Sequence, residues 1–181
     1  QYDYIVSLDA DERLDQQLQQ SILDFKNTNP TEIKAFNMNR LSNFCGQWVR
    51  YSGWYPDVKT RLFHKDAGQW GGENPHDKFV LNNGTTLHHL KGDILHFTFR
   101  STEEHQSQIE KFSTIAAEAK YRKGEKASSF KIYLKSIAKW LRTYVVKAGY
   151  RDGKLGLYLA NSSFKATYLK YKKLKALNAK N

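Results

Sequence analysis

Tyr4-Ile5-Val6-Ser7-Leu8-Asp9-Ala10-Asp11-Glu12-Arg13 is an apolar run that ends in two carboxylates one residue apart, with a third beside them. Tyr4 to Leu8 are mostly β-branched, aromatic or aliphatic, which predicts a strand buried on both faces. In α/β sheets such strands place ligand sites just beyond their carboxyl ends. Asp9 and Asp11 then stand at a site, and paired hard oxygen ligands suit Mg²⁺ or Mn²⁺ held together with the phosphates of a substrate. The plainer reading is a strand-to-helix turn in which Asp11 only caps the next helix.

A parallel strand buried on both faces needs neighbours, and Gln1 stands almost directly before this one. The expectation is therefore the later part of a larger α/β domain whose first βαβ units are missing. Leu14, Leu18, Ile22 and Phe25 recur at helical spacing and predict a helix over Leu14 to Asn27, closed by Asn27-Thr28-Asn29-Pro30. Strands are predicted at Ile33 to Leu41, Arg61 to His64, Lys78 to Leu81 and Ile94 to Phe99, with a turn at Asn82-Asn83-Gly84.

Aromatics at 14% and hydrophobics at 40% give a chain of 181 residues enough for a folded core. The single Cys45 permits no disulfide framework, points to a reducing compartment, and reads as a small buried side chain. No apolar run approaches the length of a membrane span. The net charge of +11 is unevenly spread: residues 1 to 100 hold 11 Lys and Arg against 12 Asp and Glu, and residues 101 to 181 hold 18 against 6. This divides the chain into a near-neutral 1–100 region with the acidic motif and a basic 101–181 region suited to an anionic partner.

Two loops are rich in residues that recognise ligands. Gln47 to Asp57 contains Trp48, Trp54, Tyr55 and Arg50, and Gln69 to Lys78 contains Trp70, Gly71, Gly72, Glu73, His76 and Asp77. Aromatic faces stack on the apolar faces of sugar rings, Arg pairs with anions, and Gly71-Gly72 lets the backbone approach a ligand. Half-buried packing under the loops is the competing use of the same aromatics.

The ordered set Leu8-Asp9-Ala10-Asp11-Glu12-Arg13, Gly53-Trp54-Tyr55-Pro56-Asp57, Arg61-Leu62-Phe63, Trp70-Gly71-Gly72, His76-Asp77-Lys78 and Leu90-Lys91-Gly92-Asp93-Ile94-Leu95-His96 belongs to a match that runs through nearly the whole chain. In this order it resembles family 2 glycosyltransferases of the GT-A fold, and most closely the branch related to bacterial lipopolysaccharide core β-1,4-glucosyltransferases. Asp77 stands where many relatives carry Glu. The resemblance implies an α/β, Rossmann-like GT-A domain, lacking its amino-terminal nucleotide-binding units and followed by a basic α-helical region.

The resemblance further implies an inverting hexosyltransferase that moves a sugar from a nucleotide-sugar donor, a UDP-hexose, to a glycan or lipid-linked acceptor in cell-envelope polysaccharide or lipopolysaccharide biosynthesis. A divalent metal, Mg²⁺ or Mn²⁺, would be held by the DXD carboxylates Asp9 and Asp11 and by His96, neutralising the leaving diphosphate. Asp77 is the first choice for the base that takes the acceptor proton, with Glu73 next. Trp54, Tyr55, Asp57, Arg61, Trp70, Gly71 and Gly72 would line the donor and acceptor sites. The chain alone, without its nucleotide-binding units, is expected to be inactive.

In the basic region, Ser101 with Glu104 forms a capping box for a helix over Glu103 to Arg122. Phe130, Leu134, Ile137, Leu141, Tyr144, Val145 and Ala148 then form an apolar stripe, with Lys131, Lys135, Lys139 and Arg142 off it, and Leu157 to Leu177 repeats the theme. Such helices suit an anionic membrane surface, and the expected location is the cytoplasm, peripheral on the inner membrane. Packing that leaves only a solvated basic face is the alternative. Two other function classes share these residues. One is a basic helical nucleic-acid-binding module, unexpected because no RRM, KH or zinc signature is present, and the other is a metal-dependent phosphoryl-transfer enzyme.

Overall fold

The elements run β1 (Tyr4–Val6), β2 (Glu12–Leu14), α1 (Gln16–Asn27), β3 (Lys34–Phe44), β4 (Gln47–Val49), β5 (Asp57–His64), β6 (Gly68–Gly71), β7 (Lys78–Leu81), β8 (Thr86–Phe99), α2 (Thr102–Arg122), α3 (Ser129–Leu141) and α4 (Gly153–Asn178). The computed structural model describes residues 3–28, 34–71 and 78–179. The chain is mixed α/β and divides into two units, one of Gln1–Ser42 with Tyr55–Thr98 and the other of Asn43–Trp54 with Phe99–Asn181. The 43–54 segment, which charge alone groups with the first hundred residues, thus belongs with the helices.

The main sheet is ordered β1-β5-β3-β8-β2, with β4, in the 43–54 segment, pairing β3, and β6 and β7 form a separate two-stranded sheet. The β1/β5, β3/β5 and β2/β8 pairs are antiparallel. Asp15 caps α1 by accepting from the Leu18 backbone N–H at 2.7 Å. Leu18 is then fully buried against Phe36, Met38, Leu62, Leu90 and Ile94. The close approach of α1 to β8 requires glycine at Gly92: its φ is +106°, and a Cβ there would overlap the Leu18 backbone nitrogen.

Several expectations change here. The opening strand is an edge strand paired antiparallel with β5 alone among the described residues, not a strand buried on both faces. Ile5 and Val6 are 45% and 39% exposed, while only Tyr4 packs under α1, against Phe25. Leu14 ends β2 instead of opening α1, because its backbone is in the ladder opposite Ile94. Cys45 is exposed, not buried: with Gly46 it forms the β3–β4 turn, both residues at positive φ, where the side chain has nothing to pack under.

In the second unit, Phe44, Val49, Phe99 and Leu159 form one core with Trp54, Leu155 and Tyr158 around it, and Ala117, Ile132, Tyr171 and Leu174 form another. Ser101 accepts from the Glu104 N–H at 3.2 Å, and the Glu104 carboxylate accepts from Arg100, one residue before the usual capping-box partner. After α3 a π-helical turn, Arg142–Val146, and a 3₁₀ turn, Gly149–Asp152, lead into α4. Ile132, Ser136 and Thr143 face inward, so the stripe of Phe130, Leu134, Ile137, Leu141 and Val145 is turned to solvent. Among the described residues no helix is long and apolar enough to cross a membrane.

Candidate functional site

The segment that joins β1 to β2 is a closed turn. The Glu12 N–H donates to the Asp9 carbonyl at 3.0 Å, and the Asp9 N–H donates back to the Glu12 carboxylate at 3.1 Å. Glu12 thereby locks the acidic motif through its side chain as well as its backbone. The β2/β8 register sets Glu12 opposite His96 and Arg13 opposite Leu95, and the Phe97 N–H donates to the Asp11 carbonyl at 2.9 Å.

This register brings Asp11 and His96 together, with Asp11 Oδ2 3.2 Å from His96 Nε2. The other ring nitrogen of His96 lies 3.0 Å from the Thr98 hydroxyl and 3.5 Å from that of Ser42. Thr98 reaches it because residues two apart on a strand share a face. The imidazole is mostly buried and orientated by hydroxyls, whereas the Asp11 carboxylate is half exposed. A carboxylate open to solvent beside a positioned imidazole can bind a cation or pass a proton.

Asp9 takes a different partner. Its carboxylate pairs with Arg61, which also reaches Glu12 at 3.1 Å; Glu12 meets Arg40 at 3.2 Å, Arg40 meets Asp57 at 2.6 Å, and Asp57 meets Lys59 at 3.2 Å. Six side chains of alternating sign therefore form one string that links the β1–β2 turn to β5 and β3. Glu12 has no exposed side-chain surface and survives as part of it because two guanidinium groups face it. Burial works against the charge on Arg40, but the Asp57 and Glu12 carboxylates outweigh it and hold the guanidinium above its ordinary value.

The remaining residues are dispersed. The Tyr55 hydroxyl donates to Asp93 at 2.9 Å and accepts from Asn39 at 3.2 Å. Trp54, partly buried, packs with Phe44 and Phe99 against the aromatic core of the second unit. Trp70, half exposed on β6, stands edge-on to Phe63 and Phe79, and Gly71 ends that strand opposite Lys78. Gly72, Glu73 and Asp77 lie outside the described residues. A cleft of about 580 Å³ opens at the β2–α1 junction, lined by Arg13, Asp15, Gln16 and Leu95 among others, and neither Asp11 nor His96 lines it.

Sequence reasoning assigned no role to Glu12, Arg40 or Asp93. Arg40 carried a signal: an arginine in a strand with Ala35, Phe36 and Met38 on its buried positions needs a carboxylate partner. Among the described residues no three of His, Cys, Asp and Glu converge as a metal-ligand set. The Asp11–His96 pair fits an ion that takes one or two protein ligands and completes its shell with phosphate and water, whereas Asp9 is already neutralised by Arg61.

No protein-family model matches the chain, and no solved structure does. The chain is similar to an uncharacterized glycosyltransferase of Rickettsia prowazekii (strain Madrid E), 24% identical over 186 residues that cover 98% of this chain and 64% of that protein. It thus spans less than two thirds of the length of that relative.

Proposed function

We propose that the chain is part of an inverting, family 2 glycosyltransferase of the GT-A type, moving a hexose from a nucleotide-sugar donor such as a UDP-hexose to a glycan or lipid-linked acceptor of the cell envelope. The single observation that carries this reading is the pairing of Asp11 in the DXD turn with His96 on β8, residues remote in sequence whose side chains stand 3.2 Å apart. The distant glycosyltransferase relative, matched along almost the whole chain, supports the same class.

In this reading Asp11 and His96 hold Mg²⁺ or Mn²⁺, which would neutralise the charge that develops on the leaving diphosphate. Thr98 and Ser42 hold the imidazole in place, and Glu12 keeps the turn closed so that Asp11 keeps its reach. Asp9 acts from its ion pair with Arg61, setting the charge on that side of the turn. Asp77, with Glu73 as the alternative, takes the acceptor hydroxyl proton. Trp54, Tyr55, Asp57, Arg61, Trp70, Gly71 and Gly72 remain the donor and acceptor candidates.

The test is sugar transfer and donor affinity measured on the full-length protein. Asp11→Asn should lower transfer by about 100-fold or more, the scale of losing one strong transition-state electrostatic contact. Asp77→Asn should lower kcat by about 10² to 10⁴ with donor affinity nearly intact. Wild-type transfer in the Asp11 variant, or full activity in excess chelator, would sink the metal role. A large kcat loss in Glu73→Gln with little in Asp77→Asn would exchange the two carboxylates.

A further inference from the structure

Helix α3 has three faces where an ordinary surface helix has two. At about 100° per residue, Ile132 and Ser136 point inward, and Phe130, Leu134, Ile137 and Leu141 lie on the opposite side within an arc of about 60°. Phe130 is 76% exposed, and Leu134, Ile137 and Leu141 are each about half exposed. The crest continues to Val145 in the π-helical turn, with the exposed Val146 beside it, a length of about 22 Å at 1.5 Å per residue. A monomer does not ordinarily leave so continuous an apolar line in water.

The third face is cationic. Lys131, Lys135, Lys139 and Arg142 fall between the crest and the packed side, all along one flank. From Lys126 to Arg151 the chain carries seven Lys and Arg and no Asp or Glu. On the other flank an apolar cleft of about 560 Å³, lined by Ile137, Trp140, Leu141, Asn161 and Phe164, carries the apolar surface onto α4. Trp140 donates its indole N–H to the side-chain amide oxygen of Asn161 at 2.8 Å.

We propose that this face docks on an anionic lipid bilayer, with α3 lying in the interface plane, its crest at the acyl boundary and its basic flank on lipid phosphates. An apolar ridge flanked by cations, on a stretch that carries no Asp or Glu from Lys126 to Arg151, is complementary to that surface in its apolar face and in its charge. Two copies of this face would instead bring like charges together, and a nucleic acid would leave the crest in water. The proposal is independent of the reaction, and its test reads no sugar transfer.

The experiment is vesicle flotation of the full-length protein, on vesicles of phosphatidylethanolamine and phosphatidylglycerol in equal parts and on vesicles of phosphatidylcholine alone. Strong binding to the first and at least about tenfold weaker binding to the second is expected, with about a fivefold loss for each flank cation removed. The crest variant Phe130→Ser/Leu134→Ser/Ile137→Ser and the flank variant Lys135→Glu/Lys139→Glu/Arg142→Glu should each lose binding while keeping the circular dichroism of the parent. On the unaltered protein, anionic vesicles should slow amide hydrogen exchange across residues 129–147. Wild-type flotation of the crest variant overturns the proposal, as does unchanged exchange in that segment. A lipid-free dimer dissolved by the crest substitutions, or RNA binding that displaces the vesicles and survives those substitutions, overturns it as well.

Discussion

In the first unit the charges turn inward and cancel. Glu12, with no side-chain surface in water, sits between Arg61 and Arg40, and the string ends at half-exposed carboxylates and a lysine. Across α3 the arrangement is reversed: Lys135, Lys139 and Arg142 stay in water, and the apolar Phe130 and Val146 stand out with them. A count of charges treats both regions alike. What differs is whether each charge meets its opposite within the same unit, and that decides whether a region is a rigid scaffold or a surface awaiting something else.

The contrast can be broken at Glu12. Glu12→Gln keeps the shape but leaves two buried guanidinium groups facing a neutral amide, so the protein should lose about 3 kcal/mol of unfolding free energy. Lys135→Gln, on the exposed flank, should stay within about 0.5 kcal/mol of the parent. Urea denaturation of both variants reads the difference, and equal losses would mean that burial of the string adds nothing. A smaller effect is expected at Asp152, a carboxylate of the second unit that is used structurally. It accepts from the Arg50 and Tyr51 N–H groups at 3.2 and 3.1 Å and from the Ser52 hydroxyl at 2.8 Å. Asp152→Ala should cost about 2 kcal/mol by the same denaturation measurement. A loss above that of Glu12→Gln would overturn the view that ion pairing inside the first unit is the stronger commitment.

The smallest effect concerns pH. His105 is buried beside Phe44 and Phe99, 3.1 Å from the Tyr158 hydroxyl, and burial holds its pKa below the ordinary 6.5. Below 6.5 the unfolded chain takes up a proton that the folded chain refuses. The stability due to neutral His105 is therefore present above pH 6.5 and lost as the pH falls from there through the folded value. The thermal midpoint should drop by a few degrees on going from about pH 7.5 to about pH 5.5, and His105→Gln should flatten that slope. An unaltered slope in the variant would assign the acid sensitivity to other groups.

Much of the fold was legible where a local rule decides. Ser101 announces a helix start by its own hydrogen-bonding chemistry, and Leu18 marks the buried side of α1 by spacing. The length of β3 and β8 was not legible, because their polar positions are satisfied by partners distant in sequence: Arg40 by Asp57 and Glu12, His96 by Asp11. The orientation of α3 was hidden for a related reason. Periodicity finds an apolar stripe, but Ile132 and the small Ser136 are the side chains that α3 buries, so the stripe is not the side that packs. At the site, the acidic triplet was visible as a triplet. Its division of labour, with Glu12 closing the turn, Asp9 on Arg61 and Asp11 on His96, depends on strand register and could not be read one residue at a time.

The passage of the chain between units has a consequence for descent. Phe44, Val49 and Trp54, which help to fill the helical unit's core, come from the middle of the other unit's sequence. A tail acquired by end-to-end fusion would bring its whole core in one stretch, and could be shed or exchanged in one step. Here the tail and the 43–54 hairpin must be inherited as a pair, since a recombination that replaces either leaves the other with an open hydrophobic face.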